Sequence, residues 1–182
     1  MMSYMNSDKL TNEKIKIVFM GTPEFALKVL ETVYSAGYTV PLVLTQADKP
    51  RGRGQNLCPS PVKAFAIEHN IDVYTPDKLK NEETMEKLKN ADPDVILVAA
   101  YGKILPECVL CLPKYGCVNI HASLLPKYRG AAPINRAIQN GETDGGITVM
   151  YMAKELDSGD MILQKKMKIG EEMDELEKLL GL

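Results

Sequence analysis

Short apolar runs alternate along the chain with longer segments in which apolar residues recur every three or four positions. Apolar runs of four to eight residues are typical of buried strands, and the longer spacing is typical of helices packed on a core. The runs predict strands over residues 15–20, 40–45, 72–75, 95–100, 117–121, 147–152 and 161–169. The longer segments predict helices over residues 23–36, 61–70, 81–91, 132–140 and 171–180. Residues 106–112 predict a short helix or turn, and residues 49–60 a long loop.

Strands that alternate with helices indicate an α/β fold. We expect a Rossmann-like, mostly parallel twisted sheet with helices on both faces, because parallel strands need helical crossovers. The polar turn over residues 155–160 joins two predicted strands directly, so it predicts an antiparallel hairpin near the C-terminus. A length of 182 residues suits one domain, which we expect over residues 15–182. Residues 1–14 lack an apolar core and are expected to form a frayed extension.

The first strand ends in a turn that invites comparison with nucleotide-binding sites. A dinucleotide fingerprint needs three glycines at fixed spacing, and only Gly21 is present here. Pro23 removes an amide donor and Glu24 would repel a phosphate. We therefore interpret Gly21 as a tight-turn residue, Thr22 as the helix N-cap and Pro23 as the first helical residue.

Composition narrows the class of protein further. Hydrophobic residues make up 45% of the chain and charged residues 25%, as in ordinary globular domains, and the net charge of -2 gives no overall sign of nucleic-acid binding. No apolar run approaches the length of a membrane span, so no membrane partner is expected. The first residues do not resemble a secretory signal, which favours a cytoplasmic protein without a disulfide framework.

Candidate chemistry lies where the predicted strand 117–121 ends. The period of two puts Asn119 and His121 on one face of that strand, and Asp157 lies in the polar turn of the hairpin. An amide, an imidazole and a carboxylate suit acyl transfer to a substrate amine, because the amide can stabilise an oxyanion and the imidazole can move a proton. The alternative is that His121 and Asp157 are structural residues of a strand end and a turn.

The residues after this strand carry a resemblance. The pattern Asn-x-His-x-Ser-Leu-Leu-Pro-x-Tyr-Arg-Gly, over residues 119–130, resembles the signature of folate-dependent formyltransferases. The resemblance implies a catalytic set of Asn119, His121 and Asp157 and a formyl donor, 10-formyltetrahydrofolate. It also implies a folate site that includes Ser123, Leu124, Leu125 and Pro126. The similarity covers roughly residues 15–169.

Three further stretches resemble the branch of that family that formylates charged initiator tRNA for translation initiation. They are residues 19–25, 46–54 and 129–134. The second stretch carries Lys49, Arg51 and Arg53, which alternate with proline and glycine and can reach phosphates without base-specific contacts. The resemblance thus implies tRNA binding by these three residues, and the alternative is a solvated surface loop.

The resemblance also implies a further C-terminal β-barrel domain, for which 182 residues leave no room. We therefore expect a monomer that binds folate and has weak or no activity on charged tRNA. A rival interpretation within the family is a transferase that acts on a small amine, such as a sugar nucleotide or glycinamide ribonucleotide. The basic loop argues against it.

The cysteines offer a second rival. Cys108, Cys111 and Cys117 precede His121 at a spacing close to that of zinc sites, so a zinc-stabilised, non-catalytic domain is conceivable. Zinc would occupy His121 and leave the Ser-Leu-Leu-Pro loop and the Asp157 turn unexplained. We therefore expect no bound metal.

Overall fold

The structure is a computed structural model that describes residues 15–51 and 56–169, without the side chains of residues 49–51 and 56. The predicted extension over residues 1–14 and the predicted helix over residues 171–180 lie outside the described residues. So does Arg53 of the basic loop.

Nine strands and five helices make up the described part of the chain. The strands are β1 (Ile17–Gly21), β2 (Leu42–Leu44), β3 (Lys49–Arg51), β4 (Asn56–Cys58), β5 (Asp72–Tyr74), β6 (Val95–Ala99), β7 (Cys117–His121), β8 (Asp144–Tyr151) and β9 (Met161–Lys168). The helices are α1 (Glu24–Ser35), α2 (Pro61–Glu68), α3 (Glu82–Ala91), α4 (Glu107–Leu110) and α5 (Pro133–Gln139). No helix in these ranges is both long and apolar enough to cross a membrane.

Seven of the strands form one sheet in the order β5-β2-β1-β6-β7-β8-β9. The first five of these run parallel, β8 is antiparallel to β7, and β9 is antiparallel to β8. This arrangement confirms the predicted mostly parallel sheet with an antiparallel hairpin. Because β1, β2, β6 and β7 are parallel, their carboxyl ends share one edge, where open α/β sheets bind ligands.

Helices cover both faces of this sheet, as predicted. Alternate residues of β1 enter two separate apolar clusters, with Met20 on one side and Phe19 on the other. The Phe19 cluster includes Leu30 of α1 and Val62 of α2. The Met20 cluster includes Leu88 of α3 and a residue of α4. The alternation along β1 therefore sets which helices pack on which face.

Two predictions about the strands are wrong. The predicted loop over residues 49–60 contains the small antiparallel sheet of β3 and β4, in which Pro50 pairs with Leu57. This pairing was not visible in the sequence because backbone hydrogen bonds, rather than a buried apolar face, hold so short a hairpin. Strand β8 also begins at Asp144, three residues before the predicted start, because its polar and glycine residues pair with β9 without needing burial.

Thr22 is not the cap of α1. The helix begins at Glu24, Pro23 occupies the N-cap position, and no side chain caps the first turn. The Thr22 hydroxyl instead accepts a hydrogen bond from the Gln46 amide at 3.4 Å. Gly21 is the last residue of β1, and its lack of a side chain permits close packing, because a Cβ atom there would lie 2.6 Å from that of Ala26.

Candidate active site

Strand β7 carries two polar side chains that are almost completely buried. Asn119 is 9% exposed and His121 is 8% exposed. Asn119 pairs with Val98 of β6 on one side and with Met150 of β8 on the other, so the strand is central and its register is fixed. Because side chains alternate along a strand, Ile120 enters the apolar cluster on the opposite face. Asn119 and His121 therefore share one face, as the sequence predicted.

The turn between β8 and β9 brings Asp157 to the same place. Its backbone is left-handed, with φ of 49°, a conformation that Asp tolerates better than bulkier residues, and its side chain is buried. Gly159 permits the close approach of the turn to β8, because a Cβ atom there would lie 1.9 Å from the Tyr151 carbonyl oxygen. The amide of Gly130 donates to Asp157 Oδ2 at 2.7 Å and holds the carboxylate in position.

The three residues meet although Asp157 is 38 positions from Asn119 in the sequence. Asn119 Nδ2 donates to Asp157 Oδ1 at 3.5 Å, and His121 Nδ1 lies 3.8 Å from Asp157 Oδ2. One amide hydrogen of Asn119 faces the carboxylate, which leaves the second for an incoming oxygen. The cluster thus combines an amide donor, an imidazole and a carboxylate, groups that are chemically able to support acyl transfer.

The proton position on His121 follows from a backbone contact. His121 Nε2 lies 2.9 Å from the carbonyl oxygen of Tyr128, and a carbonyl can only accept a hydrogen bond. Nε2 therefore carries the proton, and in the neutral imidazole the lone pair is on Nδ1, the atom that faces Asp157. The sequence did not predict this contact, because Tyr128 was noted only as part of the pattern over residues 119–130.

The loop that follows β7 is held by a polar side chain of β8. The Thr148 hydroxyl donates to the Ser123 carbonyl at 2.7 Å and accepts from the Leu125 amide at 3.1 Å. Gln164 of β9 adds a bond to the Leu125 carbonyl at 2.7 Å. Thr148 and Gln164 were missed because a hydroxyl or amide in a strand gives no signal until its partner is known. Three bonds to one loop nevertheless fix its backbone beside His121.

A cavity of about 590 Å³ lies behind this loop, and we call it the α5 groove. Its walls are the loop, helix α5 and the ends of β8 and β9, with Leu124, Ile134, Ile138, Ile147 and Met167 among its lining. Ser123 and Pro126 also line it, whereas Asn119, His121 and Asp157 do not. A formyl group in the groove would therefore not contact the three candidate catalytic residues.

A second polar cluster lies at the carboxyl ends of β1, β2 and β6. Gln46 Nε2 donates to the Tyr101 carbonyl at 2.7 Å, and Lys63 pairs with Asp48 at 2.7 Å at the start of β3. Burial, and secondarily Tyr74, raises the pKa of the Tyr101 hydroxyl to about 12.

The basic loop begins within this cluster. Strand β3 contains Lys49 and Arg51 and follows β2 at the same edge of the sheet as His121. The backbone of these two residues is described, and Arg53 lies outside the described residues.

The cysteines do not form a common site. Cys108 and Cys111 are exposed, whereas Cys117 is buried and its thiol donates to the Val109 carbonyl at 3.6 Å. Burial, with a smaller effect of Cys111, raises the pKa of Cys117 to about 12 in the metal-free protein. Within residues 15–51 and 56–169, no group of three or more potential metal ligands occurs.

Comparison with known proteins gives a consistent assignment. A model of the formyl transferase family matches residues 14–180. Methionyl-tRNA formyltransferase of Caldanaerobacter subterraneus subsp. tengcongensis is 56% identical over 161 residues, which are 88% of this chain and 52% of that protein. The enzyme of the same name from Thermotoga maritima is 52% identical over 168 residues, 91% of this chain and 54% of that protein. The chain thus spans about half the length of the curated relatives it matches.

Solved structures share the fold at lower sequence identity. Phosphoribosylglycinamide formyltransferase from Bacillus halodurans superimposes with a TM-score of 0.70 at 21% identity, covering 91% of this chain and 88% of the other. A formyltetrahydrofolate deformylase from Pseudomonas syringae superimposes with a TM-score of 0.66 at 22% identity, covering 92% of this chain and 59% of the other. Since the family model spans nearly the whole sequence, this chain belongs to the formyl transferase family.

Proposed function

We propose that this chain is the catalytic portion of an enzyme that transfers the formyl group of 10-formyltetrahydrofolate to the amino group of methionyl-tRNA. The proposal rests on the meeting of Asn119, His121 and Asp157 at the carboxyl edge of the sheet. The names of relatives that are more than half identical over most of this chain support the acceptor. Charged initiator tRNA as acceptor implies action in the cytoplasm, and we propose a monomer.

In the proposed reaction, the acceptor nitrogen attacks the formyl carbon and a new C–N bond forms. The carbonyl electrons move to oxygen, and the second amide hydrogen of Asn119 stabilises that oxyanion. The bond from the formyl carbon to N10 of the folate then breaks, and N10 receives a proton in exchange for the one the amine loses. No protein nucleophile is needed, because the attacking atom belongs to the acceptor.

His121 and Asp157 would carry out the proton transfer from the acceptor amine to the departing nitrogen. The lone pair on His121 Nδ1 faces the carboxylate side of the site, so it can accept the amine proton and return it to the departing nitrogen. Asp157 stabilises the imidazolium through the 3.8 Å contact, or orders a water molecule that takes the proton first. In either case a negative charge at Asp157 is required.

We propose that the folate donor binds beside the loop formed by Ser123, Leu124, Leu125 and Pro126. Its bonds to Thr148 and Gln164 make this loop a rigid wall next to His121. The donor would lie on the side of the loop that faces Asn119, His121 and Asp157, because the formyl carbon must reach these groups. None of these three residues lines the α5 groove.

The tRNA contact is proposed for Lys49, Arg51 and Arg53. Lys49 and Arg51 belong to strand β3, which follows β2, and the carboxyl end of β2 lies at the same edge of the sheet as that of β7. Cations on a hairpin at this edge would bind acceptor-stem phosphates while the aminoacyl end reaches Asn119.

A small-amine acceptor is the second candidate, since several solved structures with this fold are named phosphoribosylglycinamide formyltransferases. Their identity is near 21%, however, so they bear on the fold alone.

The test is formyl transfer by the 182-residue chain from labelled 10-formyltetrahydrofolate to methionyl-tRNA and, separately, to glycinamide ribonucleotide. We expect slow labelling of methionyl-tRNA and none of glycinamide ribonucleotide, with the labelling abolished in Asn119→Ala and folate affinity retained there. Replacing Lys49 and Arg51 by Ala should raise KM for tRNA more than it lowers kcat. Transfer to the small amine alone, or transfer that persists in Asn119→Ala, would contradict the proposal.

A further inference from the structure

Tyr128 has an unusual backbone at the point where it contacts the candidate catalytic histidine. Its φ is 60°, in the left-handed region that bulky residues rarely adopt and that costs on the order of 1 kcal/mol. The carbonyl of this residue is the one that accepts the proton of His121 Nε2. A strained residue in direct contact with a catalytic group suggests that the surrounding structure enforces the conformation for a purpose.

The side chain of Tyr128 is held from three directions. Its hydroxyl donates to Glu142 Oε1 at 2.8 Å and accepts from Asn140 Nδ2 at 3.2 Å. The guanidinium of Arg136 lies 5.6 Å from the ring centroid. Asn140 and Glu142 follow helix α5 directly, so these contacts tie the loop after β7 to the end of that helix.

Glu142 is the common anchor of this network. Lys127 Nζ donates to the same Oε1 at 2.9 Å. The hydrogen bond from Lys127, and secondarily that from Tyr128, lowers the pKa of Glu142, so the carboxylate stays charged and accepts strongly. The Lys127 bond is exposed, whereas the Tyr128 bond is partly buried, which makes the latter the better mechanical link.

We propose that Tyr128 and Glu142 are positioning residues that fix the proton of His121 on Nε2 and so present Nδ1 as the proton acceptor of the site. The phenol–carboxylate bond holds Tyr128 in its left-handed conformation, and the carbonyl of Tyr128 then holds the imidazole. The kinetic part of this inference rests on the proposed formyl transfer, but the proton position on His121 can be measured without any activity.

The chain contains an internal reference for that measurement. It has two histidines, and the other one, His69, has Nδ1 rather than Nε2 at 2.9 Å from a carbonyl, that of Phe65. His69 should therefore carry its proton on Nδ1 and His121 on Nε2. In ¹⁵N-labelled protein at a pH where both rings are neutral, long-range ¹H–¹⁵N spectra should contain one ring of each tautomer. A His121 ring with its proton on Nδ1 would overturn the inference.

The positioning step is tested by the exchange of the His121 ring N–H with water. Tyr128→Phe removes the hydroxyl, and Glu142→Ala removes its acceptor. We expect each to speed exchange by at least about tenfold, the equivalent of one lost hydrogen bond, while His69 stays unchanged and reports that the fold is intact. Glu142→Gln keeps an acceptor oxygen and should largely restore protection.

Lys127→Ala is the matched control, because it removes the ion pair to Glu142 and leaves the Tyr128 bond in place. It should leave His121 protected. Protection that is unchanged in both Tyr128→Phe and Glu142→Ala, or lost equally in Lys127→Ala, would overturn the positioning role. If Tyr128→Phe does not fold, Glu142→Ala and Glu142→Gln still decide the question.

The kinetic arm separates this inference from the proposed function. Tyr128→Phe and Glu142→Ala should lower kcat about tenfold and change KM for the folate donor little, since the donor site keeps its contacts. A fall in kcat/KM through KM alone would argue against positioning. If the unsubstituted chain neither binds the folate donor nor transfers its formyl group, the proposed function fails, and the exchange data still test the link to His121.

Discussion

Asp157→Asn changes one atom and removes one negative charge from the centre of the candidate site. The carboxylate accepts from Gly130 N through Oδ2 and from Asn119 Nδ2 through Oδ1. A carboxamide has one acceptor atom and one donor group. In either orientation of the amide, a donor therefore faces a donor, so the substitution disrupts the site although its volume is nearly unchanged.

The cost to stability can be worked from these contacts. A hydrogen bond to a charged acceptor contributes about 1.5–3 kcal/mol and a neutral one about 0.5–1.5 kcal/mol, so the 2.7 Å bond from Gly130 weakens by roughly 1–2 kcal/mol. For a chain of this size that lowers Tm by roughly 2–8 °C. The catalytic loss is larger, since the charge supports the imidazolium of His121: we expect kcat to fall by about 10²–10⁴.

Asp160→Asn is the matched control, because it makes the same change of charge and volume at an exposed position three residues later in the same turn. Formyl transfer and thermal unfolding are measured for both variants and for the unsubstituted chain. The reasoning is refuted if Asp157→Asn retains kcat within about threefold of Asp160→Asn while remaining folded.

Three further outcomes follow from buried polar groups. Thr148→Val removes a buried hydroxyl and leaves groups such as the Leu125 amide without a partner, so the free energy of unfolding in urea should fall by about 1–3 kcal/mol. Cys117 should resist thiol reagents at pH 8 in the folded protein because burial raises its pKa to about 12, whereas exposed Cys108 reacts, as mass spectrometry after labelling can determine. The Tyr101 hydroxyl is buried without a hydrogen-bond partner among the described residues, and its pKa is raised from 10.0 to about 12. The unfolded chain thus loses this proton first, so stability should fall as pH rises from 10 to about 12, and Tyr101→Phe should reduce that fall.

The sequence predicted the parallel part of the sheet well because burial on both faces leaves continuous apolar runs. Strands β1 and β6 came from such runs, and β7, whose residues alternate with a period of two, was bounded correctly at Cys117–His121. Where backbone pairing rather than burial makes the strand, as in β3, β4 and the first residues of β8, the pattern of side chains carried no signal. The sequence also could not show that Thr22 is not the helix cap, because its hydroxyl accepts a hydrogen bond from the distant Gln46 amide instead.

The sequence predicted the three residues of the candidate site but not the contacts that orient them. Asn119 and His121 could be placed on one face by the period of a strand, and Asp157 was picked from the polar turn of the hairpin and given its role by the resemblance. The bonds that orient them come from Gly130 N and Tyr128 O, which are backbone atoms. A backbone donor or acceptor is present at almost every position, so sequence cannot tell which one will be used.

Because β9 lies at the edge of the described sheet, it can detach at a lower free energy than the parallel core needs to unfold. Nearly all of its residues are exposed, and it pairs with the described part of the sheet through β8 alone. Asp157 belongs to the connection between these two strands, so local detachment of β9 loosens the carboxylate while the parallel core around β1 remains folded. Activity would then be lost at a lower denaturant concentration than the one that unfolds the whole domain, because the arrangement of Asn119, His121 and Asp157 is disrupted first. Amide hydrogen exchange in β9 would thus report the lifetime of the active arrangement rather than that of the fold.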